Sequence, residues 1–141
     1  MPRVLAFGSF DPLHNGHRDF FRQARLAGDP DTHLTVVVAA DSFLRCVKQK
    51  EPQQPAAVRL AAVRADPFVD AACLGDTWPT ADPYRLLETL DFDVLAVGYD
   101  QRPDDAVIAA ELARRGKKAV RLVRCRPFQP ERYKSSYFRR G

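Results

Sequence analysis

Gly8-Ser9-Phe10-Asp11-Pro12-Leu13-His14-Asn15-Gly16-His17 is the stretch on which the reading of this chain turns. It follows a short apolar run, Val4 to Phe7, and leads into a segment with helical spacing. A strand that stops at a glycine and re-enters the fold as a helix is where an α/β protein commonly holds an anion. The first N–H groups of such a helix have no intrahelical partner, and the macrodipole favours negative charge there. His14 and His17 can donate hydrogen bonds to a phosphate or, differently spaced, ligate a metal. No third ligand lies nearby in sequence, which weakens a zinc reading.

Outward from this loop, strand and helix patterns alternate. Val4 to Phe7 reads as a strand, followed by a helix from about His17 to Ala27. Phe20, Ala24 and Ala27 fall at i, i+4 and i+7 there, with Gly28 as the stop. Leu34 to Ala40 is near-continuously apolar, the pattern of a strand buried on both faces. Asp41-Ser42 caps a short helix to about Lys48, Gln49 to Gln54 is a polar loop, and Pro55 opens a helix ending near Asp66-Pro67. A third strand covers Asp70 to Leu74, and Gly75 to Ala81 is a loop. Asp82-Pro83 then starts a helix carrying Leu86 and Leu90. Val94 to Val97 is the fourth strand, ending at Gly98. A helix from Asp104 or Asp105 carries Val107, Ile108 and Leu112 and closes at Gly116. Ala119 to Val123 is the fifth strand, and Ser135 to Arg140 a short final helix.

Alternating elements with buried strands predict a parallel sheet covered by helices on both faces. Ligands in such sheets bind beyond the carboxyl ends of strands, where the strand order reverses. Two strands end in glycine-containing polar loops, Gly8-Ser9-Phe10-Asp11 and Gly98-Tyr99-Asp100-Gln101. As neighbours, they would bring Asp11 and Asp100 close to the two histidines.

The 141 residues predict one domain, with 45% apolar and 28% charged residues that exclude a disordered chain. Met1-Pro2-Arg3 passes straight into a strand pattern, and no apolar run approaches membrane-spanning length. Cys46, Cys73 and Cys125 are dispersed, which suits reduced thiols and a cytoplasmic setting better than disulfides. Cys46 and Cys73 sit in apolar-patterned segments and are expected to be buried packing groups. The net charge of +4 divides unevenly: residues 114–141 carry eleven bases and one acid, whereas the preceding body is acidic. Such a tail suits a polyanionic ligand or nucleic acid, and equally a solvated surface.

Three motifs in order carry a resemblance. Gly-x-Phe-Asp-x-x-His-x-Gly-His, then Gly98-Tyr99-Asp100, then Lys134-Ser135-Ser136 opening a terminal helix resemble the cytidylyltransferase-like nucleotidyltransferases. Within them the chain looks most like the archaeal FAD synthetase branch, with glycerol-3-phosphate cytidylyltransferase the near relative. The fold expected is α/β, a Rossmann-like doubly wound sheet of about five parallel strands in the order 3-2-1-4-5. The resemblance implies in-line attack by a substrate phosphate on the α-phosphorus of a nucleoside triphosphate, with release of pyrophosphate.

The same resemblance implies the roles of single residues. His14 and His17 would donate to phosphate oxygens, and Lys48, rather than Lys50, would bind phosphate. Gly16 would let the backbone turn closely beneath the phosphates, and Ser9 and Phe10 would offer N–H groups. Asp11 would orient the loop or hold Mg²⁺ through water. Asp100 would bind the ribose, and Gly98 would leave room for the nucleotide. Ser135 and Ser136 would meet the β- or γ-phosphate, with the accompanying cation open between Arg132 and Lys134. Lys134 departs from the cytidylyltransferase pattern, in which an arginine precedes a Gly-Ile-Ser/Thr run, and that weakens a cytidine assignment. AMP transfer from ATP to a phosphorylated acceptor, FMN first, is therefore expected, with Mg²⁺ as the cation. CTP transfer to glycerol 3-phosphate is the alternative, and a non-catalytic nucleotide sensor or nucleic-acid binder the reading from a different class. Relatives of this kind are often dimers, so a homodimer is the expected assembly. Trp78 and Phe68 are placed to shape an acceptor pocket or simply to pack.

Overall fold

The computed structural model describes residues 3–27, 31–101, 105–117 and 119–127. Five strands, β1 (Arg3–Gly8), β2 (His33–Val38), β3 (Ala71–Leu74), β4 (Val94–Val97) and β5 (Arg121–Arg124), are interleaved with five helices. The helices are α1 (Asn15–Leu26), α2 (Asp41–Cys46), α3 (Ala56–Arg64), α4 (Arg85–Thr89) and α5 (Asp105–Arg114). Every strand pair is parallel, and the order is β3-β2-β1-β4-β5, as expected. β1 lies in the middle, with Leu5 opposite both Thr35 of β2 and Leu95 of β4.

Side-chain alternation along the strands builds two cores. Val4 and Ala6 join Val36, Val38 and Val94 on one face, where Phe21 and Ala24 of α1 and Val63 of α3 cover them. Leu5, Val37, Leu95 and Val97 point the other way, under Leu87 of α4 and Ile108 and Leu112 of α5. Because the chain winds to one side of β1 and then to the other, β1 and β4 flank the reversal of strand order. The crevice beyond their carboxyl ends is the ligand position such a sheet creates.

Local signals account for most boundaries, and the departures are small. α1 starts at Asn15 rather than His17 because His14 itself caps it. α2 stops at Cys46, short of Lys48, where the backbone turns at Gln49 with φ 54°. β5 runs Arg121–Arg124, starting two residues and ending one residue later than expected. Gly116, at φ 77°, closes α5: its N–H donates to Ala113 O and the Lys117 N–H donates to Leu112 O, the paired bonds of a left-handed helix stop. The expected stop at Gly28 and the final helix 135–140 lie outside the described residues. Among the described residues no helix is long and apolar enough to cross a membrane.

Candidate active site

The loop between β1 and α1 is shaped by Phe10. Its backbone sits at φ 53°, and its side chain, 3% exposed, packs edge-on to His17 at 5.1 Å between ring centroids and against Phe21. The ring lies so close over the end of β1 that a Cβ at Gly8 would stand 2.5 Å from it. Gly8→Ala should therefore cost about 1–3 kcal/mol through overpacking. A lowered urea midpoint with an unchanged m-value would show it.

The two histidines close the first turn of α1 reciprocally. His14 Nδ1 accepts from the Gly16 N–H at 3.0 Å, and His17 Nδ1 accepts from the His14 N–H at 3.2 Å. This is a capping box built from imidazoles. It also fixes the tautomer: a ring nitrogen that accepts a backbone N–H carries no proton, so each neutral ring bears its hydrogen on Nε2. The rings stack at 3.8 Å between centroids. Burial, followed by the charges of His14 and Arg18, pushes His17 down to about 3, and burial and Arg18 lower His14 as well. The pair thus consists of two neutral N–H donors at the positive end of a helix with no acid in its first turn. Chemically, uncharged donors at the positive end of a helix suit an anion.

His17 should also leave a signature in stability. The unfolded chain takes up a proton at His17 near pH 6.5 that the folded chain refuses until about pH 3. Its contribution is complete above pH 6.5 and drains as pH falls through that window. The denaturation midpoint should fall between pH 7 and 5. His17→Gln, which keeps a capping acceptor, should flatten that slope.

A second layer of polar contacts locks the neighbouring loops to this one. Asp11, 1% exposed, accepts the Gln53 and Gln54 N–H groups, each at 2.8 Å, one on each carboxylate oxygen. These two bonds fasten the loop after α2 to the loop after β1. Arg59, fully buried on α3, donates to Ser9 O at 2.9 Å, Ala39 O at 2.7 Å, Gln54 O at 3.0 Å and Asp41 Oδ1 at 2.6 Å. Burial acts to raise the Asp41 pKa, but the Arg59 and Ala56 hydrogen bonds and the charges of Arg59 and Arg45 outweigh it and hold the carboxyl below its usual range. One guanidinium therefore joins the ends of β1 and β2 to the loop after α2.

The β4 side is tied in the same way. Gln101 accepts from the Gly98 N–H at 2.7 Å and donates to Phe7 O at 2.8 Å, bridging the ends of β4 and β1. Arg124 of β5 donates to Gly98 O and Gln101 O at 2.7 and 3.1 Å and pairs with Asp105. Asp100 stands exposed on the turn so formed.

A family model described as cytidylyltransferase-like matches residues 5–141. The chain belongs to that family. A FAD synthase of Aciduliprofundum boonei is 40% identical over 128 residues, covering 91% of this chain and 80% of that protein. The FAD synthase of Methanocella paludicola is 36% identical, covering 89% and 86%. Among solved structures, a lipopolysaccharide core biosynthesis protein from Thermoplasma volcanium superposes with a TM-score of 0.81 at 33% identity, covering 92% of this chain and 99% of that one.

In this cytidylyltransferase-like chain the histidines, Ser9, Phe10, Asp11 and the Gly98–Gln101 loop gather at one edge of the sheet, as their strand positions require. Gly16 lies inside the first turn of α1, its N–H donated to His14. At Gly98 a Cβ would stand 3.5 Å from the Gln101 side chain, an ordinary contact. One expectation needs correction: Cys46 is exposed rather than buried, whereas half-buried Cys73 packs against the core under α4 and α5. Cys125 is buried and raised to about 11, by burial first and then by Asp19. Cys46 projects from the outer side of α2, whose buried residue is Leu44.

Lys48 is exposed after α2, on the stretch that Asp11 anchors at Gln53 and Gln54. Arg132, Lys134, Ser135 and Ser136 lie outside the described residues. Sequence reading missed Arg59 and Arg124 altogether and saw Gln101 only as part of a loop. Arg59 left one usable trace, an arginine inside the apolar run Ala56 to Val63 at the position i−4 from the buried Val63.

Proposed function

We propose that this chain transfers AMP from ATP to FMN, forming FAD and pyrophosphate. The observation that carries the reaction type is the stacked pair of neutral histidines, whose backbone hydrogen bonds put the ring hydrogen of each on Nε2 at the positive end of α1. In-line displacement at phosphorus needs positioning and charge stabilisation more than covalent help. His14 and His17 donate to non-bridging oxygens of the α- and β-phosphates and strengthen as charge builds there. The FMN phosphate attacks the α-phosphorus from one side, and pyrophosphate leaves on the other. Lys48 meets the phosphates from the loop after α2, and Asp100 takes the ribose hydroxyls beyond β4. Ser9 and Phe10 offer backbone N–H groups to the phosphates, and Gly16 lets the backbone run closely beneath them. Ser135 and Ser136, with Arg132 or Lys134, complete the grip on the triphosphate tail. ATP and FMN are chosen because the FAD synthases match over most of both chains.

Magnesium enters as part of the nucleotide substrate. No three His, Cys, Asp or Glu side chains gather to hold an ion among the described residues. Mg²⁺ commonly binds through substrate phosphates with one or two carboxylates and several waters.

Pyrophosphate release measured for ATP or CTP, each with FMN or glycerol 3-phosphate, tests the reading. ATP with FMN should be the productive pair, and turnover with CTP and glycerol 3-phosphate alone would overturn it. Asp100→Ala should raise the KM for ATP several-fold with a smaller change in kcat, because ribose contacts act on ground and transition states alike. Steady-state kinetics at saturating FMN would separate the two parameters.

A further inference from the structure

Phe43 of α2 and Trp78 of the loop after β3 meet edge to face, 5.4 Å between centroids and 64° between planes. Both rings are half-buried. Their backbones are held without use of the ring faces. The Trp78 N–H donates to Ser42 Oγ at 2.8 Å, and the Gly75 N–H donates to Val38 O at 2.8 Å. Arg85 grips Asp76 with bonds of 2.6 and 2.9 Å. Val47, one turn beyond Phe43, is 47% exposed and extends the apolar surface.

This wall stands at the carboxyl ends of β2 and β3, on the same edge of the sheet as the histidine loop. The phosphate and ribose contacts do not use it. With the α-phosphate over β1 and the ribose beyond β4, the β2–β3 half of the crevice is left for the acceptor. FMN is a phosphate joined by a ribityl chain to a planar, aromatic, three-ring system, and its ring requires an aromatic surface at a distance from the phosphate grip. A glycerol phosphate would have no use for one.

We infer that Phe43 and Trp78 form the subsite that binds the isoalloxazine ring and so selects a flavin acceptor. The inference rests on the FMN reading above. Trp78 is the chain's single tryptophan, which makes the subsite directly observable. Flavin emission is quenched by contact with an indole ring, so FMN titrated into the wild-type protein should lose its fluorescence saturably. Trp78→Leu should abolish most of that quenching and raise the KM for FMN roughly three- to tenfold, the scale of one aromatic pairing. The KM for ATP and kcat at saturating FMN should stay near wild type, a split that general damage to the fold would not produce. Phe43→Leu should raise the FMN KM in the same direction and serves if Trp78→Leu does not fold. Wild-type FAD formation with an unchanged FMN KM in either folded variant would overturn the subsite and leave the FMN reading standing. A wild-type protein that neither binds FMN nor makes FAD would overturn the reading itself, and the subsite with it.

Discussion

His14→Asn should leave the protein folded and lower kcat by roughly 10²–10³, the scale of losing one preorganised donor to a reacting oxyanion. Asparagine is among the best N-cap residues, so its side chain can still accept the Gly16 N–H that His14 Nδ1 accepts in the wild type. It cannot place an N–H where the imidazole Nε2 does. The variant separates the two tasks that one ring performs, holding the helix start and meeting the phosphate. His17→Ala should lose a similar factor in turnover. It should also melt earlier, because the reciprocal bond from the His14 N–H disappears with the ring. Thermal melts beside single-turnover kinetics measure both effects. Near-normal turnover in His14→Asn would mean that the pair only caps α1.

The largest effect on stability should come from Arg59→Ala, about 3–5 kcal/mol. Removing the guanidinium strands the carbonyls of Ser9, Ala39 and Gln54 and takes from Asp41 its charged partner. Arg59→Lys should recover little, since a compact ammonium cannot reproduce a planar fork that reaches four acceptors in different directions. Urea unfolding gives the magnitude. Because the same bonds fasten the loop after α2 to the histidine loop, whatever Arg59→Lys protein does fold should also bind ATP more weakly. Loss below 1 kcal/mol would show that water can replace the guanidinium in this network.

Which features were legible in sequence follows from how far apart their causes lie. Val4 to Phe7 and Leu34 to Ala40 declare buried strands through composition alone, because both faces of a central strand are covered. The histidine loop is legible because its glycines, its acid and its imidazoles fall within ten consecutive residues. The tautomer of the imidazoles was hidden, since it is fixed only by backbone hydrogen bonds that form with the helix start. Arg59 escaped notice because its partners are spread over positions 9, 39, 41 and 54 and meet only when the sheet forms. Cys46 misled for a different reason. It lies in an apolar-looking run on a helix of only six residues, too short for periodicity to show which side faces outward.

Transfer of the α-phosphorus is the central claim, and labelled nucleotide tests it most directly. The protein incubated with FMN and ATP carrying ³²P at the α-position should yield labelled FAD and unlabelled pyrophosphate, and His14→Asn should slow the appearance of that label by roughly 10²–10³. Label that stays in ATP, or that moves only when CTP and glycerol 3-phosphate replace this pair, would contradict it.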